Sequence, residues 1–129
     1  MSAAGSFAAF DGKRYLSLET FRKSGEGVRT PVWFAAEARD AGVLYIYTIG
    51  NTGKVKRIRN NPRVRIAPCD ARGNLRGEWA DARADILSGD AAAHGMEMLN
   101  RKYFPWKQIL GFFASFSRRP RVVMAIRLA

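Results

Sequence analysis

Val43-Leu-Tyr-Ile-Tyr-Thr-Ile-Gly-Asn-Thr-Gly-Lys-Val-Lys-Arg-Ile-Arg-Asn-Asn-Pro-Arg-Val-Arg-Ile-Ala-Pro-Cys69 is the stretch on which the fold turns. Val43–Ile49 is β-branched and aromatic throughout, the composition of a strand. Gly50-Asn-Thr-Gly breaks it. Lys54–Asn60 then reads as a short helix, with Val55 and Ile58 inward and its cations outward. Asn61-Pro62 ends that helix, because the residue before a proline is pushed out of the α region. Arg63–Cys69 resumes as a strand with Val64 and Ile66 on one face.

Working outward from this core, Tyr15–Phe21 places Leu16, Leu18 and Thr20 on one side of a strand. Lys23-Ser-Gly-Glu-Gly is a turn, and Val28–Ala35 returns to form a hairpin. Pro31 has no N–H for a ladder, so it belongs at an edge or a bulge. Arg39-Asp-Ala-Gly is read as the next turn. On the other side, Glu78–Leu87 turns Ala80, Ala82, Ala84 and Ile86 one way. Ser88-Gly-Asp caps a helix over Ala91–Tyr103, with a stripe of Ala92, Met96, Leu99 and Tyr103. Pro105 opens a second helix with an aromatic stripe of Trp106, Ile109, Leu110, Phe113 and Phe116. Arg121–Leu128 is a closing strand, and Ser6–Lys13 is a short opening helix or an ordered tail. The sum is an α+β chain of six strands, mostly antiparallel by their short turns, forming a small barrel or a curled sheet. Residues 1–129 are expected to be one domain, with residues 1–6 flexible.

The chain has 129 residues, 22 Lys and Arg against 11 Asp and Glu, and a formal charge of +11. Such an excess points to an anionic partner. Its distribution is uneven. No acid lies between Asp40 and Asp70, and Lys54, Lys56, Arg57, Arg59, Arg63 and Arg65 crowd into that gap. A second acid-free stretch follows Glu97. Cys69 is the single cysteine and His94 the single histidine, which excludes a disulfide framework and a cysteine zinc cluster. No apolar run is long enough to span a bilayer, and the start lacks a basic region ahead of an apolar one. A cytoplasmic protein is expected, cofactor-free or with an organic cofactor.

Two segments carry candidate chemistry. In Thr48-Ile-Gly-Asn-Thr-Gly-Lys-Val-Lys-Arg a strand ends, small residues turn, and a basic helix begins. Free N–H groups at a helix start, with Lys and Arg beside them, suit a phosphate. The spacing is neither a Walker loop nor a dinucleotide glycine motif. The second segment, Arg29-Thr-Pro-Val-Trp-Phe, puts Thr30, Val32 and Phe34 on one face and Trp33 on the other, as in a wall beside a flat ring. Cys69 reads as a buried small hydrophobe, and His94 has no partner in sequence. Asp81 and Asp85 flank Arg83 along one strand face, which favours ion pairing over paired-carboxylate catalysis.

The order of motifs resembles a family. Tyr15-Leu-Ser-Leu-Glu-Thr-Phe-Arg-Lys-Ser-Gly, Thr30-Pro-Val-Trp-Phe, Gly53-Lys-Val-Lys-Arg-Ile-Arg-Asn-Asn-Pro-Arg-Val-Arg, Ala67-Pro-Cys-Asp-Ala-Arg-Gly and Arg101-Lys-Tyr stand in the order seen in one branch of it. That branch is the deazaflavin-dependent one of the pyridoxamine-phosphate-oxidase-like split β-barrel superfamily. The resemblance implies a six-stranded, mostly antiparallel split barrel with flanking helices. It also implies a homodimer with two cofactor sites at its interface. The implied cofactor is the 8-hydroxy-5-deazaflavin coenzyme F420, with FMN the alternative. Thr30, Pro31, Val32 and Trp33 would run beside the ring, with Tyr47 and Thr48 near it. The segment beginning at Gly53, through Lys54, Lys56 and Arg57, would grip the phosphate. Arg59 and Arg65 would meet an oligoglutamate tail.

The implied reaction is hydride transfer to an unsaturated or otherwise electrophilic small molecule, with Tyr47 a candidate proton donor. Phe104-Pro105-Trp106 departs from the family's Gly after Lys-Tyr and bears on the substrate side. Two rivals use the same features: a non-catalytic carrier of FMN, haem or the deazaflavin, and a basic nucleic-acid-binding module. The cations are confined to loop-helix segments and are not interleaved with aromatics in an RNA-binding motif, which favours the enzyme.

Overall fold

The computed structural model describes residues 7–38, 40–49, 53–102 and 121–128. Six strands and two helices follow one another as β1 (Tyr15–Phe21), β2 (Gly27–Glu37), β3 (Asp40–Ile49), α1 (Gly53–Asn60), β4 (Arg63–Cys69), β5 (Ala80–Ile86), α2 (Gly89–Lys102) and β6 (Arg121–Leu128). The strands close into an antiparallel barrel in the order β1-β2-β3-β6-β5-β4.

Alternation fills the interior. Leu16 and Leu18 of β1, Val32 and Phe34 of β2, Leu44 and Ile46 of β3, Val64 and Ile66 of β4, and Met124 and Ile126 of β6 all point inward and are buried. On β5 the inward residues are Ala82 and Ala84, so one narrow strand accommodates large side chains from its neighbours. Val55 and Ile58 of α1 join this core from the end where β3 finishes. Phe7 and Phe10, around a single 3-10 turn at Ala8–Phe10, join it from the β2–β3 hairpin end, where Phe10 meets Phe34 edge-on at 5.8 Å.

A second core lies outside the barrel. Ala35, Val43, Tyr45 and Ala125 on the outer faces of β2, β3 and β6 are covered by Met98 and Leu99 of α2. The buried face of α2 is Gly95, Met98 and Leu99, not the expected stripe through Ala92 and Met96. The reason is Gly95: a β-carbon there would lie 2.9 Å from both Tyr45 Cδ1 and Val123 Cγ1, so the helix backbone rests directly on the sheet.

β1, β4 and β6 have the bounds read from the sequence. The turn read at Arg39–Gly42 does not hold. Asp40 already pairs with Glu37, a bulge at Ala36/Glu37 tightens the hairpin, and β3 begins at Asp40. The β2–β3 ladder runs from Phe34–Ile46 toward that hairpin. Pro31 therefore lies beyond it and faces only Ser17 of β1 among the described residues. Residues 1–6, Tyr103 and the helix read over 105–116 lie outside the described residues. No described helix is long and apolar enough to cross a membrane.

Candidate functional site

The outer faces of β2 and β3 continue beyond Phe34, where Trp33 and Tyr47 pack against the margin of the core that α2 helps to form. Outward alternation brings three rings together there. Trp33 lies 6.4 Å from Tyr15 and 6.5 Å from Tyr47, centroid to centroid. With Pro31, Val32, Thr48 and Lys54 they line a hollow of about 290 Å³. Thr48 and Val32 are buried, while Trp33, Tyr15, Tyr47 and Lys54 are half-buried. Six residues picked out in the sequence, Pro31, Val32, Trp33, Tyr47, Thr48 and Lys54, thus share one concavity. Thr30 precedes it on β2. Its Oγ1 is shielded from solvent and has no hydrogen-bond partner among the described residues. The Asp70–Asn74 turn borders the hollow, with a β-carbon built at Gly73 falling 4.0 Å from Pro31 Cδ. Asp70 Oδ1 accepts from the backbone N–H of Arg72 and Asn74 at 2.9 Å, and Oδ2 from Asn74 Nδ2 at 3.0 Å. These bonds hold the Asp70 carboxyl below its usual range.

Lys54 ends the row of rings. Burial lowers its pKa, and the adjacent Arg57 charge lowers it further. Arg57 is lowered as well, first by burial and then by Arg22. Arg57 thus lies close enough to both Lys54 and Arg22 for like charges to repel; Arg22 is paired with Glu26 at 3.1 Å, and an anion beside Lys54 and Arg57 would relieve the rest. Arg57 is fixed in place. Its Nε donates to Thr20 Oγ1 at 2.6 Å, and its Nη1 lies 2.6 Å from where a Gly53 β-carbon would stand.

The basic segment of α1 divides between two hollows. Lys54 and Lys56 are two residues apart, about 200° around the helix, and face different ways. Lys56 and Arg57 line a second hollow of about 520 Å³ with Phe21, Arg22, Lys23 and Asn60. Arg59 is exposed and lines neither. Arg65 lies on the outer face of β4, where its Nη1 reaches Glu19 Oε1 at 3.2 Å. Arg29 Nε reaches Glu19 Oε2 at 2.8 Å, and both guanidiniums stack on Trp79, at 4.6 Å for Arg29 and 5.1 Å for Arg65. Tyr15, Arg22 and Lys23 were not singled out as site residues. Their signal was present, since two cations flank the hairpin turn at Lys23-Ser-Gly, but only the topology sets that turn beside α1.

The remaining candidates have structural surroundings. Cys69 is a buried free thiol whose pKa burial raises. Asp81 lies 3.9 Å from Arg63 and Asp85 3.3 Å from Arg83, as ion pairs. Among the described residues no group of His, Cys, Asp and Glu is placed to hold a metal ion.

No protein-family model matches the sequence, and no curated protein is similar to it at a significant level. Solved structures are similar in fold. A protein of the pyridoxinephosphate oxidase family from Clostridium acetobutylicum superposes with a TM-score of 0.66 at 14% identity, covering 94% of this chain and 79% of its own. An F420 reductase superposes with a TM-score of 0.59 at 20% identity, covering 97% and 94%. An FAD-binding protein from Mesorhizobium loti gives 0.59 at 20% identity, covering 99% and 88%. The six-stranded closed barrel with its two helices is thus the split-barrel fold of the pyridoxamine-phosphate-oxidase-like proteins.

Proposed function

We propose that the protein is an oxidoreductase that binds the deazaflavin coenzyme F420 and uses it to reduce an unsaturated or otherwise electrophilic small molecule. The observation that carries this reading is the row Tyr15–Trp33–Tyr47, which ends on Lys54 and continues through Arg57 to Arg22. Partly exposed rings suit one face of a flat heterocycle. Desolvated, mutually repelling cations suit phosphate. The residues present therefore fit the group.

When bound, the cofactor supplies hydride transfer. The chain's own residues do the rest. Trp33 and Tyr15 keep water from one face of the ring. Lys54 holds the phosphate, and Arg57 is kept beside it by Thr20. The Tyr47 hydroxyl is the proposed proton donor to the reduced substrate. The second hollow, with Arg22, Lys23, Lys56 and Arg57, offers more positive charge than one phosphate needs. This favours F420, with its anionic tail, over FMN. An F420 reductase and an FAD-binding protein are equally similar in structure, so the choice between cofactors rests on the charge of this chain.

A hollow of about 290 Å³ falls just below the usual range for small-molecule sites, about 300–1,000 Å³. A second copy of the chain, paired so that it covers this face, would complete the site. Equilibrium titration with F420 and FMN side by side, read by fluorescence, tests the reading. Tighter binding of F420 is expected, with turnover of the reduced coenzyme against a panel of unsaturated acceptors. Binding of neither cofactor would overturn it.

A further inference from the structure

Away from α1, acids answer the arginines of the sheet. Glu19 takes Arg29 and Arg65, Asp85 takes Arg83, and Asp40 takes Arg127. The end of the barrel beside α1 is different. Arg22 is paired with Glu26 at 3.1 Å, and Arg63 stands 3.9 Å from Asp81. Lys23, Lys56 and Arg59 form no ion pair among the described residues. The hollow of about 520 Å³ at this end is lined from β1 and its hairpin by Phe21, Arg22 and Lys23, and from α1 by Lys56, Arg57 and Asn60. No carboxylate belongs to its described lining. Lys56, Arg59 and Asn60 lie at i, i+3 and i+4 on α1 and are all exposed, so the charge continues along the helix surface.

A flat group stands beside these cations. Arg63 Cζ lies 5.1 Å from the centroid of the Phe21 ring, and the Arg63 side chain is 64% exposed. A guanidinium set over a ring in this way leaves its outer side for a base to stack on. The sequence holds no RNA-binding motif, but the topology sets Phe21 and Arg63 among the cations of α1. Large apolar side chains are not exposed here; among the described residues the exposed one is Leu75, beyond the far end of β4.

We propose that this end of the barrel binds single-stranded nucleic acid, with phosphates on Lys23, Lys56, Arg57 and Arg59 and a base stacked on Arg63. A single strand leaves its bases free to stack on a flat side chain while cations track its backbone. A duplex keeps its bases stacked on one another and gains nothing from Arg63. A bilayer surface calls for apolar side chains to insert, and this end exposes none among the described residues. Lys56 and Arg57 would also meet the anionic tail of the proposed cofactor, so the two ligands compete there.

Fluorescence anisotropy of the full chain without cofactor tests this. The probes are labelled oligo-uridine, oligo-deoxythymidine and a duplex, each of about 12 nucleotides. Single strands are expected to bind at least about five-fold tighter than duplex. Log affinity should fall against log salt with a slope of about −3, from about −0.7 for each of four phosphates. Lys23→Gln/Lys56→Gln should weaken binding at least about ten-fold at about 0.1 M salt and reduce the slope by about 1.4. Arg83→Gln/Arg127→Gln removes the same charge from acid-paired positions and should change affinity less than about two-fold. Arg63→Lys, which keeps the charge and loses the plane, should abolish the preference for single strands and leave the slope. The tighter of the two single strands names the ligand as RNA or DNA, and either supports the proposal. Equal losses in the two double variants, duplex bound as tightly as single strand, or binding to phosphatidylserine vesicles with none to oligonucleotides would overturn it. These readings need no cofactor, so they stand or fall apart from the hollow beside Trp33.

Discussion

Arg57 of α1 donates through Nε to the hydroxyl of Thr20 on β1, 37 residues earlier and wholly buried, at 2.6 Å. The same guanidinium folds back to within 2.6 Å of the space above Gly53. Gly53 therefore matters for the room it leaves, since a methyl group there would displace a flexible side-chain end and no backbone. Gly53→Ala is expected to leave stability nearly unchanged or slightly improved, helix propensity favouring Ala by up to about 1 kcal/mol. It is also expected to weaken phosphate or cofactor binding by displacing Arg57. Thermal melts and titration of the same variant separate the two effects. A stability loss with unaltered affinity would contradict this assignment.

Lys54 and Arg57 act together in the proposed site. Replacing both with Ala should weaken F420 binding by several kcal/mol, charge-assisted hydrogen bonds being worth about 1.5–3 kcal/mol each. The pH dependence has a definite sign. Burial lowers the Lys54 pKa, so its charge is lost at a lower pH than that of an exposed lysine. Affinity for the anionic cofactor should fall as pH rises through that lowered value. Lys54→Arg, which stays charged, should flatten the fall. A wild-type affinity independent of alkaline pH would count against Lys54 as a phosphate ligand.

Much of this was legible because periodicity and charge are local properties. Tyr15–Phe21 alternates, Arg63–Cys69 sets Val64 and Ile66 on one face, and Arg121–Leu128 is a short apolar run, and each is a strand with those bounds. Pro31 announced an interrupted ladder, and the ladder to β3 does stop short of it. What was not legible depended on residues far apart in sequence. Asp40–Gly42 looked like a turn from their composition, whereas the pairing of Asp40 with Glu37 makes them strand. Nothing in Lys54-Val-Lys-Arg says that its cations serve two hollows, because that follows from helical rotation relative to β1. Glu37 and His94 are 57 residues apart and meet only because Gly95 lets α2 settle onto β3.

Glu19 is 5% exposed and is neutralised by Arg29 and Arg65, with Trp79 stacked on both. The arginines keep contact with solvent and the carboxylate does not. Removing the acid therefore leaves two hydrated cations, whereas removing both arginines strands a buried charge. The double variant Arg29→Ala/Arg65→Ala should cost about 3–5 kcal/mol and more than Glu19→Ala. Urea unfolding of both variants decides the order. Equal costs would mean that Trp79 packing, not charge compensation, dominates.

Gly95 presses α2 onto the sheet. A methyl group at this position would sit 2.9 Å from atoms of Tyr45 and Val123, both buried, so one of them must move. Overpacking of this kind costs about 1–3 kcal/mol, which outweighs the gain of about 1 kcal/mol from Ala in a helix. Gly95→Ala is expected to lower the melting temperature. Hydrogen exchange should show faster opening of α2 than of β1 and β4, which α2 does not cover. An unchanged melt would mean that the helix adjusts freely.

Lys102, whose Nζ lies 3.5 Å from the centroid of the Phe34 ring, provides a stability test that is independent of any ligand. Its folded pKa of about 8 lies below the unfolded value of about 10.4. Between those values the native state binds fewer protons than the unfolded chain, so this lysine's contribution to stability increases with pH across that window. Below about pH 7 the amine is charged in both states, and its contribution is constant. The difference in unfolding free energy between wild type and Lys102→Met should therefore be flat at neutral pH and shift toward the wild type from about pH 8 to about 10.4. Comparing differences cancels titrations common to both proteins. A difference that stayed level through the alkaline range would place the amine in bulk water and away from the Phe34 ring.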